Sequence, residues 1–354
     1  MIETTLPRTV LRAAILYTGG TFGMTDRGAG MEPRAGIDAD IASSVVLFEE
    51  SENLSVEFHY TESERVIDSA TADSGTACRI AEWVRSSTGS APLDGVIVIH
   101  GTDTMAYIGA RIAFEVRDLA IPVVLTGAQI PFGRPGSDAQ SNLHLALDVL
   151  ALHPAPGTYL AFGSAVHPAV RASKRDCADY AGFTSARKCT PPAAPPVVLP
   201  RRTGTIPRLP VGLLTVFPGL HADLLAAAIR QYPGGLVLEC YGSGTMPHGD
   251  EIIETIRAAT RRGTPIVVIS QCDRGSVDLE RYQPGRALLD AGVIGGGDLT
   301  REAALAKLAH LVELGLSGRQ LRDWMTTNLL GELSDPTPPF SAPAHKPASN
   351  ARSL

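Results

Sequence analysis

Small hydroxyl residues, an aspartate and glycines recur where short apolar runs end. Residues 10–17 close on Thr18-Gly19-Gly20-Thr21, residues 96–99 on His100-Gly101-Thr102-Asp103-Thr104, and residues 123–125 on Thr126-Gly127-Ala128-Gln129. A threonine hydroxyl serves as a nucleophile when a base takes its proton and a set of donors holds the oxyanion that forms. Here Asp103 would orient a lysine and the lysine would activate Thr102. Amides of the glycine-rich turns, with Gly20 and Gly101 as candidates, would supply the donors. The lysine needs a neutral fraction, which burial beside other groups provides. Taken singly, a threonine or aspartate in such a turn can instead cap the following helix through its side-chain oxygen. Taken together, Thr18, Thr21, Thr102, Asp103, Thr104 and Thr126 would converge on one crevice, because open parallel sheets bind ligands outside the carboxyl ends of their strands.

Other chemistries fail on spacing. The stretch Gly19-Gly20-Thr21-Phe22-Gly23 lacks the G-x-G-x-x-G pattern of dinucleotide sites, and neither a G-x-x-x-x-G-K-[ST] loop nor a G-x-S-x-G elbow occurs. The nine histidines show no close ligand pair, so His100 and His144 read as structural and no metal or cofactor is expected. Five scattered cysteines (Cys78, Cys177, Cys189, Cys240 and Cys272) suggest neither a disulfide framework nor a zinc site. A net charge of −6 without basic clusters argues against nucleic acid or an anionic membrane as partner. No apolar run reaches the ~20 residues of a membrane span, and no signal peptide is visible, so a cytoplasmic location is expected.

The elements that must position these residues follow from periodicity. Apolar runs at 10–17, 96–99, 123–125 and 159–162, then 211–216, 236–240 and 266–270, alternate with helix-like stretches at 105–116, 142–152, 222–230, 251–262, 301–314 and 318–328. That alternation is the signature of βαβ units and predicts an α/β fold with a mainly parallel sheet. A length of 354 residues favours two domains over one. With 44% hydrophobic but only 5% aromatic residues, the core must be built from Val, Ile, Leu and Ala. Residues 190–210 are proline-rich and aperiodic and read as a linker, which gives domains at 1–189 and 211–334. From 335 to 354 Pro, Ser and Ala dominate, and a disordered tail is expected.

Two of the turn motifs resemble a known family. Tyr17-Thr18-Gly19-Gly20-Thr21-Phe22-Gly23-Met24 and His100-Gly101-Thr102-Asp103-Thr104-Met105-Ala106-Tyr107 look like the two signatures of the L-asparaginase/glutaminase family. Residues 125–131, 137–143, 270–272, 291–296 and 328–333 resemble further blocks of its cytoplasmic type I branch, in collinear order. The resemblance implies a larger N-terminal α/β domain with a mainly parallel sheet flanked by helices, a smaller C-terminal α/β domain, and a homodimer or homotetramer. It also implies hydrolysis of the side-chain amide of L-asparagine to L-aspartate and ammonia, without cofactor.

Carried over by motif, Thr21 matches the nucleophile, while Thr102, Asp103 and Lys174 match a second triad. Lys174 is placed by Arg171-Ala172-Ser173-Lys174, similar to an Arg-x-x-Lys element of the family. Asp68 and Ser69 resemble the pair that grips the substrate's α-amino and α-carboxylate ends, although Ala70 follows where a second polar residue is usual. The family places a tyrosine about ten residues after the nucleophile; this chain has Met31 there, followed by Glu32. A thioether is only a weak acceptor and cannot relay a proton. At Gly242-Ser243-Gly244-Thr245, relatives often carry asparagine where Thr245 stands, a substrate-side position. Cys272 falls in a region that lines a regulatory site in type I relatives. The two departures keep open a same-fold amidohydrolase acting on glutamine or another amide, and an amino-acid-binding protein of weak catalytic power.

Overall fold

The computed structural model describes residues 10–28, 30–90, 92–191, 199 and 209–334. Most of the expected linker at 190–210 and all of the expected tail at 335–354 lie outside them. In the first half, strand β1 (Val10–Gly19) is followed by a hairpin of two short strands, β2 (Met24–Asp26) and β3 (Met31–Pro33). Helix α1 (Asp38–Glu52) leads to β4 (Ser55–Ile67), and α2 (Thr76–Ser90) leads to β5 (Gly95–Ile99). Then come α3 (Met105–Glu115), β6 (Pro122–Thr126), α4 (Ala139–Ala151), β7 (Gly157–Phe162) and β8 (Ala165–Pro168). A second hairpin, β9 (Ser173–Lys174) with β10 (Phe183–Thr184), closes this half.

The second half runs β11 (Val211–Thr215), α5 (Ala222–Gln231), β12 (Gly235–Cys240), α6 (Asp250–Arg261) and β13 (Ile266–Ser270). It ends with α7 (Gln283–Asp290), β14 (Ile294–Gly295), α8 (Arg301–Glu313) and α9 (Gly318–Thr326).

The large sheet has the order β4-β1-β5-β6-β7-β8, parallel except for β8, which pairs antiparallel with β7. β5 and β6 are buried along their whole length because helices cover both faces, and so they read as unbroken apolar runs. Along β1 the period of two is kept. Leu11, Ala13, Ile15 and Tyr17 join the core under α1 and α4, while Ala14 and Leu16 join the core under α2 and α3. The smaller sheet, β11-β12-β13-β14, is parallel throughout. One of its faces packs on α5, α6 and α7; the other packs on α8 and α9 and reaches across to α3 of the first half.

The chain order reverses at β1, which lies between β4 and β5 although β4 follows it and β5 comes after that. Doubly wound sheets open their ligand crevice at such a reversal, outside the carboxyl ends of the two strands. Those ends carry Thr18–Thr21 and His100–Thr104.

Candidate active site

Three turns meet backbone to backbone at the head of the large sheet. Gly20 has φ +82°, and a β-carbon there would lie 2.2 Å from the Cα of Gly101. A β-carbon on Gly101 would in turn lie 2.5 Å from Ser69 Oγ. Only glycine permits both the positive φ and this approach. The Gly20 amide donates to the Ile67 carbonyl (2.9 Å), which ties the end of β1 to the end of β4. The turns bearing Thr21, Asp68–Ser69 and Thr102–Asp103 are thereby neighbours.

Beneath them runs a buried polar chain. Thr18 Oγ1 lies 2.6 Å from His100 Nδ1, His100 Nε2 lies 3.1 Å from Thr104 Oγ1, and Thr104 Oγ1 donates to the Ser69 carbonyl (3.0 Å). Burial pulls the His100 pKa down to about 4, so the ring is neutral and carries one N–H. It donates to one hydroxyl and accepts from the other. Thr104 stands at the N-cap of α3, yet its side chain makes no capping bond; it crosses to the 69 turn instead. Thr126 is also structural. It is fully buried, and its hydroxyl faces the carbonyls of Ala161 (2.9 Å) and Asn142 (3.2 Å).

On the open side, Lys174 Nζ donates to Thr102 Oγ1 (2.8 Å) and to Asp103 Oδ1 (2.6 Å). The lysine side chain is 18% exposed and the aspartate 62%, so the pair faces the crevice mouth. A lysine held between a carboxylate and a hydroxyl polarises that hydroxyl and is placed to exchange a proton with it. Thr21 opens a short 3-10 turn, Thr21–Gly23, and is half-buried. Among the described residues no hydrogen bond engages its hydroxyl. Asp68 is exposed and its Oδ1 accepts from the Ala70 amide (3.0 Å), while Ser69 is buried.

The β2–β3 hairpin follows Thr21 directly. Met31, paired with Asp26, is 43% exposed, and Glu32 forms a 3.2 Å ion pair with Arg27 on the outer surface. The hairpin's exit is fixed by Glu62, whose carboxylate accepts from the amides of Gly36 (2.8 Å) and Ile37 (3.0 Å) and from Tyr60 Oη (2.6 Å). Burial pushes the Glu62 pKa up, but these donors outweigh it and hold the group below the usual carboxylate range.

Comparison with known proteins decides the family. Residues 12–194 match the family model "Asparaginase, N-terminal", and residues 210–325 match "Glutaminase/Asparaginase C-terminal domain". The chain belongs to the asparaginase family. It is 32% identical to L-asparaginase 1 of Escherichia coli K12 over 335 residues, covering 90% of this chain and 97% of that one. Over 92% of its length it is 31% identical to the human 60 kDa lysophospholipase, of which it spans 62%. The crystal structure of L-asparaginase I from Vibrio cholerae superposes with a TM-score of 0.76 at 31% identity, covering 92% of this chain and 99% of that one. The protein is thus an asparaginase-family amidohydrolase, and the α/β fold with a second, smaller α/β domain is the one the sequence implied.

Within this asparaginase-family chain the remaining expected positions lie further out. Thr245 sits in the tight turn after β12, bonded through its backbone to Tyr241 (2.8 and 3.0 Å). Among the described residues no hydrogen bond joins it to the Thr102–Lys174 cluster. Cys272 lines a cavity of about 260 Å³ between the two halves, shared with Asp103, Lys174, Glu239, Arg301 and Glu302. Sequence reading passed over Thr104 as a link to the 69 turn, and over Glu62, Arg187 and Glu302. Glu62 and Glu302 lie in polar or helical stretches, and nothing in their spacing marks them as partners of residues more than 20 positions away.

Proposed function

We propose that the chain hydrolyses the side-chain amide of L-asparagine to L-aspartate and ammonia, with Thr21 as nucleophile. The observation that carries this reading is the Asp103–Lys174–Thr102 chain of hydrogen bonds, set at the sheet's reversal where the turn of Thr21, whose hydroxyl has no hydrogen bond among the described residues, packs against the turn of Gly101. Thr21 Oγ bonds to the amide carbon as its proton passes to the Thr102–Lys174 pair. The C–N bond then breaks, the nitrogen leaves as ammonia with a returned proton, and water hydrolyses the threonyl ester to free the acid and Thr21. Two easier steps replace one difficult one. Gly101 offers its backbone amide to the oxyanion, whereas the Gly20 amide is held by the Ile67 carbonyl and lines the site without donating to it, and Asp68 and Ser69 take the charged ends of the amino acid. No cofactor enters this scheme. The same reading places the protein in the cytoplasm as a homodimer or homotetramer, with domains at 1–189 and 211–334 and Thr245 on the substrate side.

Ammonia release from L-asparagine tests it. Thr21→Ala is expected to lose on the order of 10³-fold or more in kcat. Lys174→Met and Thr102→Ala are expected to lose about 10²–10⁴-fold, the usual contribution of placed acid–base groups. Full activity in Thr21→Ala and Thr102→Ala would overturn the scheme.

A second reading rests on Met31, exposed on the hairpin where no proton relay is possible through a thioether. On that reading the amide is glutamine or another amide. A substrate panel with Met31→Tyr beside the wild type separates the two, since a tenfold gain on asparagine in the variant points to a different natural amide. Tight asparagine binding without ammonia would instead mark an amino-acid-binding protein.

A further inference from the structure

Lys174 stands on a strand of two residues paired with another of two residues. So short a hairpin has little stability of its own. Gln129, Gly136 and Phe162 of the first half hold its loop and its second strand, through Asp179, Tyr180 and Phe183, while its flanks are held from the other half of the molecule. Arg171, three residues before the lysine, has a side chain with no exposure. Its Nε donates to the Gly331 carbonyl (2.8 Å), its Nη1 to the Asp298 carbonyl (3.0 Å), and its Nη2 to Ser334 Oγ (3.3 Å). Beyond the hairpin, Arg187 donates to the same Asp298 carbonyl (2.7 Å) and to that of Cys272 (2.5 Å). Between them, Ser173 donates its hydroxyl to Glu302 Oε2 (2.9 Å) at the start of α8. Every one of these acceptors for Arg171, Ser173 and Arg187 belongs to the second half of the chain.

We propose that the C-terminal domain positions Lys174 for proton transfer, through the Ser173–Glu302 bond and the two arginines that flank its hairpin. Arg171, Ser173, Arg187 and Glu302 are positioning residues under this assignment, because each acts on the lysine's strand and not on substrate. The consequence is specific. Loosening the strand lets Nζ drift from Thr102 Oγ1, which slows the chemical step without touching the groups that grip the amino acid. A misplacement of about 1 Å is enough to cost up to 10²-fold.

The assignment rests on Lys174 being the proton-transfer group of the proposed reaction, so the experiment includes that residue. Steady-state kinetics with L-asparagine, or with whichever amide the panel shows to be turned over, are measured for Ser173→Ala, Glu302→Ala, Glu302→Gln, the Ser173→Ala/Glu302→Ala double variant and Lys174→Met. Thermal unfolding of each is recorded alongside. Ser173→Ala and Glu302→Ala are each expected to lower kcat about tenfold with KM within twofold. The double variant should fall no further than either single, as expected for two partners in one bond. Glu302→Gln keeps an acceptor oxygen for Ser173 and should restore at least half of kcat. Unchanged kcat in Ser173→Ala and Glu302→Ala while Lys174→Met is inactive would overturn the positioning role alone. Loss confined to KM, or additive losses in the double variant, would overturn it as well. An active Lys174→Met would remove the proposed reaction scheme and this assignment with it.

Discussion

At the residue scale the buried His100 carries a pH signature. Its pKa of about 4 in the folded protein lies below the ordinary 6.5, because burial disfavours the charged ring. Between those two values the unfolded chain binds the proton and the folded chain does not, so stability rises with pH across that window. Full benefit is present above about pH 6.5 and is lost progressively as pH falls to about 4. The size is on the order of 3 kcal/mol for this one group. Denaturant unfolding of wild type and His100→Asn at pH 4.5 and pH 7.5 checks this. The wild type is expected to lose more stability than the variant between the two values, and equal losses would assign the pH dependence to other groups. The same residue shows what a sequence conveys. His100 was legible as structural because its neighbours offered no ligand spacing, but its partners Thr18 and Thr104 were legible only as candidate site residues. Hydroxyls that face solvent and hydroxyls that face a buried ring are the same letters.

At the scale of elements, glycine-rich strand ends were the readable part. β1, β5, β6, β12 and β13 are mainly apolar, broken by a charge only at Arg12 and Glu239, and their apolar runs end within two residues of the observed strand ends. β4 was missed entirely. It is an edge strand, half-exposed along Ser55–Ile67, and its charged residues hide the apolar alternation. Yet β4 supplies Glu62 to the site region, and the turn it leads into supplies Asp68 and Ser69. Glu62 in particular fastens the exit of the hairpin that follows Thr21. Glu62→Ala leaves the amides of Gly36 and Ile37 without their acceptor, and hydrogen exchange is expected to accelerate across residues 24–37 while the amides of Gly20 and His100 keep their protection. Acceleration spread evenly over the large sheet would show instead that Glu62 supports the whole domain.

At the scale of the whole molecule the two halves are joined by buried charge as well as by apolar packing. Arg111 on α3 reaches Glu115 (2.7 Å) and, across the interface, Glu313 on α8 (2.8 Å). Nearby, His310 Nδ1 lies 2.8 Å from Glu115, and Arg117 donates to His310 Nε2 (2.8 Å), which fixes the ring as the neutral Nδ1–H tautomer. A second buried pair, Lys307 with Glu332 (2.7 Å, both unexposed), organises the final turn. Glu332 also accepts from the amides of Leu329 (3.0 Å) and Leu330 (2.6 Å), and that turn presents the Gly331 carbonyl to Arg171. Removing one partner leaves an uncompensated buried charge, a loss of roughly 3–5 kcal/mol. Lys307→Met is therefore expected to destabilise the protein by that order in urea unfolding, and Lys307→Met/Glu332→Gln to recover part of it. A double variant no more stable than the single would place the cost in lost packing.

Sequence by itself determined the layers and the chemistry on offer, because apolar periodicity dictates which faces must be buried and only glycine tolerates positive φ at a crowded turn. It also determined that Thr21, Thr102 and Asp103 end strands of one parallel sheet. Tertiary structure alone decided which hydroxyls became buried struts and which stayed open, and that Lys174 reaches Thr102 and Asp103 across more than 70 positions of chain. Those outcomes depend on the strand order β4-β1-β5 and on a second domain gripping a two-residue strand. Contacts so distant along the chain leave no local pattern, since the energy that fixes them is released only when both halves are folded and packed.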